Sequence, residues 1–193
     1  MTLLEVGHFQ FGRSYECKDG TIINMREYLD GWHATIDNLS AAGKVHAGDS
    51  FGFAMAEPLL EGDPDDALCS WNNPKEYVWF VGGWGPERNR YVANAIRKLR
   101  PLLRHDEAFS TLELRLNGET GAFRDPVESA SVDPGKFLWG DFPYGGAVIR
   151  DMGVLMMVGA CSGFTELEDD MVTGMILADL AGHIINANMM LPH

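Results

Sequence analysis

The stretch from Ala147 to Asn188 constrains the fold more than any other part of the chain. Residues 147–150 (AVIR) read as a short strand, Asp151-Met152-Gly153 has turn chemistry, and 154–160 (VLMMVGA) carries no charge at any position. The pattern predicts strand, tight turn and strand, with the second strand at the centre of a sheet. Thr165 followed by Glu168 is a capping-box pattern. It opens a last helix that runs to about Asn188, with Leu167, Met171, Met175, Ile176, Leu180, Ile184 and Ala187 placed to face the core. A hairpin feeding one long helix favours a mixed α+β sheet over a doubly wound one, where helices alternate with parallel strands.

Upstream, Met25, Tyr28, Leu29, Trp32, Ile36 and Leu39 recur at helical spacing, and Gly43 offers a stop. The segment 7–19, with Phe9, Phe11 and Tyr15, reads as an edge strand or an arm that ends in an Asp19-Gly20 turn. Residues 50–56 (SFGFAMA) and 77–84 (YVWFVGGW) predict two further strands. Between them, 58–75 combines Pro58, Pro64 and Pro74 with Asp63, Asp65 and Asp66, which excludes a regular helix and suits a lid, a binding loop or a subunit contact. Pro86 precedes a second helix whose apolar face is Val92, Ala95, Ile96, Leu99 and Leu103. Arg88, Arg90, Arg97, Lys98, Arg100 and Arg104 occupy its remaining surface, and Pro101 kinks or shortens its last turn. Thr111–Leu116 (TLELRL) alternates as a half-buried strand does, with Asn117-Gly118 as the turn after it, and 119–140 reads as loop.

A chain of 193 residues fits one domain, here with an N-terminal arm (about 1–20) and an inserted loop (about 58–75). Its 28 acidic against 15 basic residues give a net charge of -13, which repels phosphate backbones and anionic membrane surfaces, so neither nucleic acid nor membrane is an expected partner. No apolar run reaches spanning length and the first ten residues lack a signal-peptide pattern, so the cytoplasm is the expected location. Cys17, Cys69 and Cys161 form no Cys-x-x-Cys pair and read as reduced, small core residues.

The run Gly145-Gly146-Ala147-Val148-Ile149, then Gly153-Val154, then Val158-Gly159-Ala160-Cys161-Ser162-Gly163, then the acidic stretch 166–170, resembles the signature of the GlcG/HbpS family. That family also includes the C-terminal domain of PduO-type proteins, and the likeness extends from Tyr77 to Asn188. It implies a profilin-like α+β fold, a central antiparallel sheet flanked by helices, assembled into dimers or larger oligomers. Some members bind haem and several have no assigned reaction, so the resemblance narrows fold more than function. The arm and the 58–75 stretch have no counterpart in the family.

Gly145 and Gly146 allow a ligand to approach the backbone, and Gly159 and Gly163 open the same region from the neighbouring strand, beside the Ser162-Gly163 turn. Glu166, Glu168, Asp169 and Asp170 sit where a helix dipole favours negative charge, which accounts for them without a function. The sharper alternative turns Glu166 or Asp169 inward as a general base or metal ligand, with its pKa tuned by burial. Tyr144, beside the glycine pair, is a further acid–base candidate, and Arg97 and Arg100 can anchor a carboxylate or propionate. No His-x-x-x-His pair occurs and no metal site is expected; His33 and His183 read as packed or surface residues, and His8, His46 and His105 lie near loops. Trp71, Trp79, Trp84 and Trp139 can stack on a flat ligand or fill the core, with Trp79 assigned to the core. Nucleophile elbow, phosphate loop and dinucleotide fingerprint are all missing.

The leading expectation is therefore an oligomeric small-molecule-binding protein whose pocket, around Gly145, Gly146, Ser162 and Gly163, accepts haem or another planar or carboxylated ligand. One alternative is an enzyme acting on a small aromatic or carboxylic metabolite, with Glu166, Asp169 and Tyr144 in acid–base roles and Arg97 and Arg100 holding substrate. Another is a noncatalytic accessory subunit that docks through 58–75.

Overall fold

The computed structural model describes residues 14–17, 20–56, 59–60, 78–103, 110–116, 141–142, 144–153 and 155–189. Most of the arm, residues 61–77, the loop 117–140, Cys69, Trp71, Trp139, Arg104, His8 and His105 lie outside them. Strand β1 (Ser14–Glu16) pairs antiparallel with β2 (Ile22–Asn24), and Gly20 closes the turn with φ 84°. Asn24 caps α1 (Met25–Ala41), its side chain accepting from the Arg26 and Glu27 amides at 3.1 and 3.4 Å. Met25, Leu29, Trp32 and Ile36 are the buried face of α1. Gly43, at φ 66°, ends it.

Strands β3 (Phe51–Ala56), β4 (Leu59–Leu60), β5 (Val78–Trp84), β6 (Ala147–Asp151) and β7 (Leu155–Ser162) form one antiparallel sheet. Ala160 of β7 pairs with both Ala54 and Ala147, so β3 and β6 flank β7 on opposite edges. Leu59 pairs with Met156, so β4 continues the line of β3, and the order across the sheet is β5, β3, β7, β6. The apolar β7 is central, as its sequence predicts, and the hairpin that joins it to β6 lies at the expected place.

Helices α2 (Arg88–Leu102), α3 (Thr111–Leu116) and α4 (Glu166–Met189) complete the described elements. Alternation along β7 divides the core: Leu155, Met157 and Cys161 pack with α1 and α4, while Val158 and Ala160 pack with α2 and α3. Both faces of the sheet are thus covered, which explains why all six residues of β3 are buried. Each fully buried Phe or Leu contributes about 1.5–3 kcal/mol of transfer free energy. Gly52 lets α2 lie directly on β3, since any Cβ there would collide with the Tyr91 and Val92 backbone. On the other face, the Tyr28 hydroxyl bridges Ile176 O at 2.9 Å and Asp179 Oδ2 at 2.8 Å, which ties α1 to α4.

Three sequence expectations are corrected here. Thr111–Leu116 is helix α3, not a strand: the Leu114 amide donates to Ser110 O at 2.9 Å and the Glu113 amide to Ser110 Oγ at 3.1 Å. A six-residue alternation is too short to separate the two periods, and the Ser110-capped turn of good helix formers decides it. Along α4, Ile176, Leu180 and Ile184 are buried as expected, but Leu167, Met171 and Met175 are 54, 42 and 37% exposed. Val172, Leu177 and Ala181 take the inward positions, because this helix is apolar around much of its circumference and periodicity alone does not fix its rotation. Lys98, assigned to the basic surface of α2, is 1% exposed.

Among the described residues no helix is long and apolar enough to cross a membrane. Cys17 and Cys161 are buried in the core.

Candidate functional site

The glycine pair and the acidic helix start meet where β6 begins, β7 ends and α4 opens. Gly146 has φ 123°, and a Cβ on it would lie 2.7–2.8 Å from Cys161 O, Asp169 Cβ and Lys98 Nζ. A side chain is excluded there both by conformation and by contact. The carboxylates of α4 turn back onto this backbone: Glu166 Oε2 accepts from the Gly145 amide at 3.1 Å, and Asp170 Oδ1 accepts from the Gly146 amide. Thr173 Oγ1 donates to Gly146 O at 2.8 Å.

Lys98 reaches this point from α2, with Nζ 2.6 Å from Asp169 Oδ2 and 3.0 Å from Cys161 O. The two side chains are 1 and 4% exposed. Asp169 Oδ1 also accepts from the Phe164 amide at 3.1 Å. Burial pushes the Asp169 carboxyl up to about 6 against the opposing pull of the Lys98 ammonium. Asp170 is likewise raised to about 6 by burial, against its hydrogen bond from Gly146. The Cys161 thiol is raised well above its ordinary value by burial and by Asp169, which removes nucleophilic character. Next in sequence, the capping box forms: Glu168 Oε2 accepts from the Thr165 amide at 3.1 Å and from Thr165 Oγ1 at 2.7 Å. Burial disfavours the Glu168 carboxylate, but hydrogen bonds from His46 and Thr165 outweigh it and hold the pKa down to about 2.

Gly145, Gly146, Glu166 and Asp169 are thus brought together as the sequence suggests, and they are packed against one another. Every carboxylate in the group is engaged with a backbone amide or with Lys98. Tyr144 is one ring away, its centroid 4.6 Å from that of Phe142. Arg97 lies over the other side chain of this pair, 5.4 Å from the Phe142 centroid, and donates to Asp141 O at 3.3 Å; Arg100 Nε is 3.9 Å from Asp141 Oδ1. Ser162 and Gly163 lead away: Ser162 pairs with Gly52, and Gly163 packs on Ser50 and Phe51.

That bend borders a separate cavity of about 240 Å³ between α1, the loop before β3, the end of β5 and Phe164. One wall is aromatic. His33 stacks on Trp84 at 4.2 Å and 19°, Trp84 stacks on Phe51 at 4.3 Å and 22°, and Phe51 meets Phe164 at 5.6 Å. The cross-strand pairing of Phe51 with Trp84 and the position of His33 beside the buried face of α1 build this stack. Asp37, Asp49 and Ser50 supply polar lining. Trp84 is one of the four tryptophans the sequence offers for stacking on a flat ligand; His33, read as a packed or surface residue, and Asp37, Asp49, Phe51 and Phe164 are lining residues that spacing alone did not single out. A second, more open groove of about 680 Å³ runs between β6 and α4, past Ile149, Arg150, Met171 and Met175. Among the described residues no three His, Cys, Asp or Glu side chains lie close enough to hold a metal ion.

Fold and site together define an α+β domain with an antiparallel sheet covered on both faces and an aromatic-walled cavity at one end of it. Comparison of the chain with family models, curated proteins and solved structures gives no match.

Proposed function

We propose that this chain is a small-molecule-binding protein of the profilin-like GlcG/HbpS type, and that its ligand is a planar molecule of one or two rings held in the cavity beside His33 and Trp84. The observation that carries the proposal is the three-deep stack of His33, Trp84 and Phe51 opening onto about 240 Å³ of space. Such a volume lies below the roughly 300–1,000 Å³ that encloses a drug-sized ligand, so a haem macrocycle is a poor fit. The β6–α4 groove is larger, but no histidine among the described residues lines it. The enzyme alternative draws less support, since Glu166 and Asp169 are spent on the fold's own amides and on Lys98. Self-association is part of the proposal, through the half-exposed Met171 and Met175 beside edge strand β6.

Indole is a suitable first probe. At ten times its Kd it should raise Tm by about 3–6 °C, as expected for a chain of this size. His33→Ala and Trp84→Leu should each abolish the shift while keeping the far-ultraviolet spectrum. A red-shifted Soret band on stoichiometric haemin addition, or an indole effect untouched by both substitutions, would contradict the proposal.

A further inference from the structure

We infer that the cavity beside His33 selects an organic cation, an aryl or arylalkyl amine, over a carboxylate or a neutral ring. The inference rests on the binding role proposed above and names the charge class of its ligand. Among the described residues, the charged side chains lining the cavity are Asp37 and Asp49, His33 is the one further titratable group, and neither lysine nor arginine lines it. Two carboxylates beside the stacked rings of His33 and Trp84 offer an ammonium group its countercharge and a ring an aromatic edge to meet. A carboxylate placed there meets like charge. The whole chain, at -13, adds to the same bias.

An inorganic cation is the other occupant such a charge pattern suggests, and the geometry disfavours it. His33 Nε2 is 3.8 Å from Asp37 Oδ2, and among the described residues no group of three metal-ligating side chains converges. The basic side chains of α2 named as ligand anchors, Arg97 and Arg100, are turned to Asp141 and Phe142 and contribute nothing to this lining. Cavity size narrows the class further: at about 30 Å³ per water the space matches roughly eight waters, the heavy-atom count of a single ring with a short amine arm.

The experiment compares benzylammonium, benzyl alcohol and benzoate, which share a ring and differ in charge, by calorimetry on the full chain. Benzylammonium should bind about tenfold or more tightly than benzoate, the size expected for two solvent-facing carboxylates. The Asp37→Asn, Asp49→Asn double variant should remove most of that preference and leave benzyl alcohol unchanged. Equal or tighter binding of benzoate, or a preference that survives the double variant, would overturn the cation assignment while leaving a planar-ligand site in place. No binding by any of the three, together with no response to indole, would overturn both.

Discussion

The two sides of the bend at Ser162 and Gly163 carry the residues most suggestive of chemistry, and they are built in opposite ways. Toward Gly145 and Gly146 the chain is wired shut: acid meets amide, Lys98 meets Asp169, and glycine is present because nothing larger fits. Toward His33 and Trp84 it keeps an opening, lined by rings that stack on each other and by carboxylates at a solvent-facing rim. Acidic residues at a helix start and a glycine pair therefore mark a structural clasp in this fold, joining α2, α4 and strands β6 and β7. The cavity with an aromatic wall lies on the other side, where Ser50 Oγ accepts from the Glu87 amide and Asp37 sits beside His33.

The largest expected effect comes from breaking the clasp. Lys98→Met leaves the Asp169 carboxylate buried without its countercharge, and should cost about 3–5 kcal/mol in urea denaturation at pH 7.5. Adding Asp169→Asn, which keeps an acceptor for the Phe164 amide, should recover part of the loss. A cost below about 0.5 kcal/mol, the range of ordinary surface substitutions, would show that the pair does not hold the two layers together.

A smaller effect is expected from pH. Asp169 and Asp170 titrate near 6 in the fold, above the ordinary aspartate value of about 3.9. The folded chain binds these protons more tightly than the unfolded one, so their contribution is complete below about 4 and is lost as pH rises through 6. Glu168 has the opposite sign, its contribution present above about 4.3 and lost as pH falls toward 2. Tm should accordingly fall between pH 5 and 7.5, and fall less in Asp170→Asn, whose amide oxygen still accepts from Gly146. Identical slopes in the two proteins would remove Asp170 from the pH response.

Much of the fold is legible in the sequence because its long elements are strongly periodic. The stripe of α1, the apolar β7, the hairpin before it and the Thr165–Glu168 box are all found where spacing places them. Short or ambiguous elements are not. In α3 the alternation of six residues hid a Ser110-x-x-Glu113 capping pattern that was present to be read. Lys98 follows Ala95 by three and precedes Leu102 by four, which puts it at the margin of the apolar arc of α2 rather than on its wet face. The aromatic cavity was hidden for a different reason: His33, Phe51, Trp84 and Phe164 are far apart along the chain, and only the β3–β5 register and the seating of α1 bring them together.

The contrast between the two sides is tested most directly by indole titration followed in amide-resolved NMR spectra. The indole N–H of Trp84 and the amides of Gly48, Asp49 and Phe164 should shift with saturation, while those of Gly145 and Gly146 stay fixed. Saturable shifts at the glycine pair with Trp84 unmoved would place the ligand on the clasp and contradict the assignment of the site.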